Sequence, residues 1–304
     1  MIEAAHPPAA AAALARERER VDARLAALAG ELPGVPASLR PALGYALEGG
    51  GKRLRPALCV LAYRALGGVP EHGLYDVACA IELVHTYSLL HDDLPAMDDD
   101  DLRRGRPTLH RIVGTPAATV AGAALIPLAF RVLLRGARFL HLPDSAAAAL
   151  ALELARGMGA GGMVGGQWLD LEAEGRRLDL DALARIHRAK TGALFEAAVR
   201  IGARAAGATP DRIEAVGAWG AALGLAFQVV DDILDETADS VALGKTAGKD
   251  RRQEKATYPA LLGRDAARAQ ARARLEEGRA ALRGAGIVSS ELEAVGELML
   301  ARDH

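Results

Sequence analysis

Two acidic words carry the chemistry of this chain: His91-Asp92-Asp93-Leu94-Pro95-Ala96-Met97-Asp98-Asp99-Asp100-Asp101 and, far downstream, Gln228-Val229-Val230-Asp231-Asp232-Ile233-Leu234-Asp235. Like charges so close repel unless a multivalent cation neutralises them. Carboxylate oxygens suit a hard ion such as Mg²⁺, which keeps waters and completes its shell with substrate phosphates. The bland alternative is a solvated charged face, and it suits Asp98 to Asp101 better than the second word. Asp231 and Asp235 lie about 40° apart around a helix. Phe227, Val229, Val230, Ile233 and Leu234 surround them, an apolar setting that a surface face would not have.

Asp92 and Asp98 would be about 120° apart on an unbroken helix. Pro95 cannot sit in a helix interior without losing a hydrogen bond and clashing. The helix carrying Ile81 to Asp93 is therefore expected to end or bulge at Leu94-Pro95, letting Asp98 swing back toward Asp92.

Basic words accompany the acidic ones. Gly49-Gly50-Gly51-Lys52-Arg53-Leu54-Arg55-Pro56 sets three cations beside a glycine run, and exposed backbone N–H groups with fixed cationic heads suit a phosphate. Leu102-Arg103-Arg104-Gly105-Arg106-Pro107-Thr108 follows the first acidic word; as a second anion-binding motif it makes two diphosphates plausible, although its cations could simply balance the aspartates. Arg188 to Gly192 and Gly244 to Asp250 add cations near helix ends.

The elements that position these words read as helices. Hydrophobic residues make up 51% of the 304 residues but aromatics only 4%, so Ala, Leu and Val build the core, and Ala and Leu are strong helix formers. Asp76–Leu90, Ala146–Arg156 and Asp211–Asp235 lack strand-like alternation. The expectation is all-α: a single domain over residues 1–304, with a flexible N-terminal arm (1–13) before an amphipathic helix around Leu14–Leu28. Turns fall at 31–36, 67–70, 175–179 and 207–210, and helices of this length joined by short turns describe a bundle.

A net charge of −2 gives no reason to propose nucleic acid or an anionic membrane as partner. Cys59 and Cys79 are too few for a disulfide framework and suit reduced core residues of a cytoplasmic protein. Met1-Ile2-Glu3 has no basic region of the kind that opens a signal peptide. Ile112 to Phe130 is uncharged for 19 residues, but its glycines, prolines and alanines suit a buried core helix better than a membrane span, so no stable membrane insertion is expected.

The ordered set of words resembles the trans-isoprenyl diphosphate synthases, above all bacterial farnesyl diphosphate synthases (geranyltranstransferases). It comprises Gly50–Pro56, His85–Asp101 with Arg103-Arg104, Gly165-Gly166-Gln167, Lys190-Thr191-Gly192, Phe227–Asp235, Gly244–Asp250 and Lys255 to Pro259. Each word alone is weak; the order from about residue 45 to 262 makes the set specific. The resemblance implies an isoprenoid synthase-type helical bundle around a deep central cavity, in a homodimer. It implies Mg²⁺, three ions per site with Mn²⁺ as an alternative, held by Asp92, Asp93 and Asp98 facing Asp231, Asp232 and Asp235. It assigns Arg103, Lys190, Lys245 and Lys255 to an allylic diphosphate, and Lys52, Arg55, His85 and Arg104 to isopentenyl diphosphate.

The implied reaction condenses the two substrates head to tail. Breaking the allylic C–O bond builds negative charge on the leaving diphosphate, which metals and cations must stabilise. The allylic cation left behind demands a dry, unreactive cavity. Oxygens of Lys190, Thr191 and Gln228 would face that cation, and the released diphosphate would take the final proton. Tyr87 and Ser88, five and four positions before Asp92, can face the cavity and limit chain length. An aromatic at Tyr87 implies a C15 product, farnesyl diphosphate, with C20 geranylgeranyl diphosphate as the alternative.

Three positions depart from the family pattern: Ala123 stands where Asp is usual, Ile126 where Gln is frequent, and Val230 where Gln is common. Loss of a buried carboxylate at Ala123 would weaken support for a catalytic cation. Of the other readings, a class I terpene cyclase would mix Asn, Ser or Thr with Glu in its second motif, unlike Asp231 to Asp235. A non-catalytic synthase subunit would tend to lose the aspartates that this chain keeps.

Overall fold

The computed structural model describes residues 7–32, 34–237 and 256–301. The chain forms helices wherever Ala and Leu dominate. In order they are α1 (Pro7–Glu31), α2 (Arg40–Leu47), α3 (Leu54–Ala65), α4 (His72–Asp92), α5 (Leu109–Val113), α6 (Thr115–Phe139), α7 (Asp144–Met158), α8 (Met163–Glu172), α9 (Leu180–His187), a five-residue π-turn (Arg188–Gly192), α10 (Ala193–Ala205), α11 (Pro210–Thr237), α12 (Tyr258–Leu262), α13 (Arg264–Gly284) and α14 (Ser290–Leu300). The expected turns lie at helix junctions, those at 31–36 and 207–210 each overlapping a helix end by one residue. The first helix begins at Pro7, so residues 7–13 of the expected arm are helical; proline is tolerated at a helix start because its missing N–H has no partner there anyway. The strands among the described residues are Leu102–Arg103 and Arg106–Pro107, an antiparallel ribbon. Its two-residue turn has positive φ at both Arg104 (56°) and Gly105 (74°), as a tight hairpin needs.

Helix α4 is buried on every side from Leu74 to Val84, and such a helix belongs at the centre of a bundle. It packs most extensively against α6, whose buried Ala118, Ala121, Ala129 and Ala137 let the two helices approach closely. Its two buried acids are paired. Arg135 Nε lies 2.8 Å from Asp76, which Arg24 also holds, and Arg53 lies 2.7 Å from Glu82. Unpaired, either charge would be costly in this core. A second core forms where α3, α10, α11, α13 and α14 meet around Phe195, Trp219, Leu275 and Leu292.

The uncharged run 112–130 is split at Gly114 between α5 and α6. Two helices, Thr115–Phe139 and Pro210–Asp235, are long and apolar enough to cross a membrane by length and composition; 44% and 61% of their apolar windows are buried in the bundle. Only one face of α6 matches the expected buried helix, because Val120, Pro127 and Leu134 point outward.

Candidate active site

Between the helices lies a cavity of about 790 Å³, lined by residues of both acidic words, the glycine loop and the π-turn. Helix α4 ends at Asp92, where Pro95 forbids continuation. The chain then folds back, and Asp98 N–H donates to the Asp92 carbonyl oxygen at 2.8 Å. The two carboxylates six positions apart are thereby brought together, as the proline argument requires.

Asp92 and Asp231 line the same cavity, so the acidic words face one another from α4 and α11. Burial pushes the Asp92 carboxyl up to about 6, reinforced by Asp98 and opposed by Lys190. Among the described residues its carboxylate accepts no hydrogen bond, so its oxygens remain available to a cation. Asp93 and Asp232 are committed differently. Arg103 Nε donates to Asp93 Oδ1 at 2.9 Å, while its Nη2 reaches Asp100 at 3.1 Å. Asp232 accepts from Gln228 Nε2 at 3.0 Å and from the Tyr258 N–H at 3.2 Å. Among the described residues no three His, Cys, Asp or Glu side chains converge into an ion cage.

The glycine loop enters α3 through Arg53, whose left-handed φ of 46° turns the chain. Arg53 is pinned by Asp22 (2.8 Å), Glu82 (2.7 Å) and the Leu47 carbonyl (3.0 Å). This anchor sets Lys52 and Arg55 on the cavity wall. Arg55 lies over the Phe195 ring at 4.7 Å, with Nη1 3.3 Å from His85 Nε2. Burial and the neighbouring guanidinium hold the His85 pKa well below the usual histidine range, so a neutral ring accepts from Arg55. Burial also lowers Arg55 to about 10, and among the described residues its Nε is a buried donor without a hydrogen-bond partner. Arg104, also depressed by burial, bends over to the Gly50 carbonyl. Crowded cations with an orphaned donor are what an anionic ligand would satisfy.

Lys190 and Thr191 sit on the π-turn, an irregularity frequent at functional sites. Gly166 makes room for it: a Cβ there would lie 2.1 Å from the Lys190 nitrogen. Lys190 Nζ is 2.6 Å from Asp170, and the Thr191 hydroxyl donates to Gln228 Oε1 at 2.8 Å. Tyr87 and Ser88 line the cavity, with the Ser88 hydroxyl bonded to the His85 carbonyl at 2.9 Å.

The structure thus brings together Lys52, Arg55, His85, Tyr87, Ser88, Asp92, Arg103, Arg104, Lys190, Thr191, Gln228 and Asp231 around one cavity. Lys245 and Lys255 lie outside the described residues. Sequence reasoning missed Asp170 and Phe195, and it grouped Arg53 with the phosphate-binding cations where the structure buries it as a pivot on Asp22 and Glu82. Asp170 had a signal, three positions after Gln167 and so on the same helix face. Ala123 points to the outside of α6, so no carboxylate buried within this chain is missing there. Ile126 packs against the main core and Val230 is buried.

The chain is similar to known proteins along nearly its whole length. Farnesyl diphosphate synthase of Geobacillus stearothermophilus is 43% identical over 291 residues, covering 96% of this chain and 97% of its own. Farnesyl diphosphate synthase of Escherichia coli (strain K12) is 48% identical over 258 residues, covering 84% and 86%. The geranyltransferase of Helicobacter pylori, complexed with magnesium and isoprenyl diphosphate, superposes with a TM-score of 0.79 at 31% identity, covering 94% of each chain. The polyprenyl synthetase profile matches residues 36–282, and with the facing aspartate words and the cationic wall the chain belongs to the polyprenyl synthetase family.

Proposed function

We propose that this prenyltransferase condenses isopentenyl diphosphate with dimethylallyl and then geranyl diphosphate to give farnesyl diphosphate. The carrying observation is one cavity lined by a carboxylate from each acidic word, Asp92 and Asp231, together with a cluster of cations that includes Arg55, whose buried Nε has no hydrogen-bond partner among the described residues. Asp92 and Asp98 from α4 and its loop, with Asp231 and Asp235 from α11, would hold Mg²⁺, three ions per site. When bound, Mg²⁺ neutralises the charge that develops on the departing allylic diphosphate. Asp93 and Asp232 act one step back: Asp93 steadies Arg103, and Asp232 steadies Gln228.

Lys190 and Arg103 contact the allylic diphosphate. Lys52, Arg55, His85 and Arg104 hold isopentenyl diphosphate so that its alkene meets the allylic carbon. Thr191, its proton engaged on Gln228, turns hydroxyl lone pairs toward the developing cation. Leu89, Met163, Val164 and Phe227 line the cavity and exclude water that would otherwise capture that cation. Tyr87 stops the chain at fifteen carbons.

The bundle works as a homodimer in the cytoplasm. Val120, Pro127 and Leu134 repeat every seven residues along the outer face of α6, an exposed apolar stripe that a second copy would cover. Cys59 and Cys79 are both free and buried, as suits a reducing compartment.

Incubating the purified protein with Mg²⁺, dimethylallyl diphosphate and isopentenyl diphosphate, followed by mass analysis, tests the reading. C15 diphosphate is expected. Absence of any elongated product would overturn the synthase assignment, and a C20 product would overturn the chain length alone.

A further inference from the structure

Between Tyr87 and Asp92 stands a side chain to which the reaction gives no role. His91 lines the same cavity as Tyr87 and follows it by one turn of α4. The two rings meet edge to face, centroids 4.6 Å apart and planes at 67°, an arrangement the aromatic quadrupole favours. On its far side the imidazole rests on bare backbone of α6. A Cβ at Gly122 would come within 2.5 Å of His91 Cδ2 and 2.6 Å of Nε2, so a side chain at 122 would displace the ring. Nε2 also lies 3.3 Å from the Thr119 carbonyl oxygen on the same helix, and the Nε2–H tautomer would donate to it.

We infer that His91 is a positioning residue for product length: wedged between Gly122 and Tyr87, it holds the phenol ring across the path of the growing chain. The inference rests on the reading above, in which the isoprenoid chain grows alongside Tyr87. A lone ring on a cavity wall resists displacement only through its rotamer preference, whereas each added isoprene unit gains apolar burial. A ring backed by a second ring, itself seated on a helix backbone, has nowhere to swing on that side. The stop is then a stack of three residues on two helices, Tyr87, His91 and Gly122, and Tyr87 alone would leak longer products.

The experiment measures the C20:C15 ratio from Mg²⁺, dimethylallyl diphosphate and isopentenyl diphosphate with the full-length protein and four variants. Tyr87→Ala sets the scale for a missing stop. His91→Ala is expected to raise the ratio about tenfold or more. Gly122→Ala, which keeps the imidazole but evicts it from its seat, should move the ratio the same way. His91→Phe, which refills the seat with a ring, should return it to the native value. A native ratio in both His91→Ala and Gly122→Ala would overturn the inference whatever the rate, since a histidine that merely oriented Asp92 would lower turnover at constant ratio. Should Gly122→Ala fail to fold, His91→Ala decides alone. Failure of the native protein to elongate at all would instead overturn the synthase reading, and this inference with it.

Discussion

Lys190 Nζ lies 2.6 Å from Asp170 Oδ2, tying the π-turn to α8 at the cavity wall. The same ammonium opposes the upward shift of Asp92 across the cavity. Lys190 thus stands between a carboxylate that stores it and the acidic words that need it. Both partners are about a quarter exposed (27% and 21%), so the pair is weak enough to exchange for a diphosphate.

Lys190→Ala should lower turnover by roughly 10² to 10³, the usual cost of removing one donor from a developing anion. Asp170→Asn, which weakens the hold on the lysine, should cost about tenfold. Single-turnover rates with geranyl diphosphate measure both, and equal losses would show that Asp170 touches substrate itself.

Asp92→Ala and Asp231→Ala should each cut turnover by about 10³ or more while far-UV circular dichroism stays native. Asp93→Asn should lose only about 10- to 100-fold, because it steadies Arg103 from one step back. Near-normal turnover in Asp92→Ala or Asp231→Ala would remove the facing-carboxylate mechanism.

Arg55→Ala should mainly raise KM for isopentenyl diphosphate, by about tenfold or more, the cost of a lost charge-assisted hydrogen bond. The allylic KM should barely move. Steady-state kinetics with each substrate varied in turn checks this, and a larger effect on the allylic KM would reverse the two subsites.

His187 should make stability pH-dependent. Burial lowers its pKa from 6.5 to about 4, with Lys190 acting in the same direction, and its ring stacks at 5.5 Å on Tyr258. The folded chain keeps this ring neutral where the unfolded chain protonates it. Stability is therefore complete above about 6.5 and falls as pH drops toward about 4, by an order of 2–3 kcal/mol. Thermal unfolding between pH 7 and 4 should show a smaller fall for His187→Phe than for the native protein. Parallel profiles would exclude this histidine.

Much was legible from the chain itself, because the relevant physics was local. Alanine and leucine select helix, Pro95 ends α4 after Asp92, and glycine-rich stretches mark the turns, so the bundle and the return of Asp98 followed from backbone sterics alone. The acidic and basic words pointed to a metal–diphosphate chemistry through their ordered combination, since each word alone also fits a solvated charged face. What the sequence could not rank was equivalence within a word. Asp92 and Asp93 are neighbours in type and position, yet adjacent residues on a helix point about 100° apart. One therefore enters the cavity while the other meets Arg103. Asp231 and Asp232 divide in the same way between cavity and Tyr258. The Lys190–Asp170 pair, the Arg55–Phe195 contact and the seat of His91 on Gly122 each join residues from different helices. Side-chain partners across helices depend on axial register and rotation, which only the packed bundle decides.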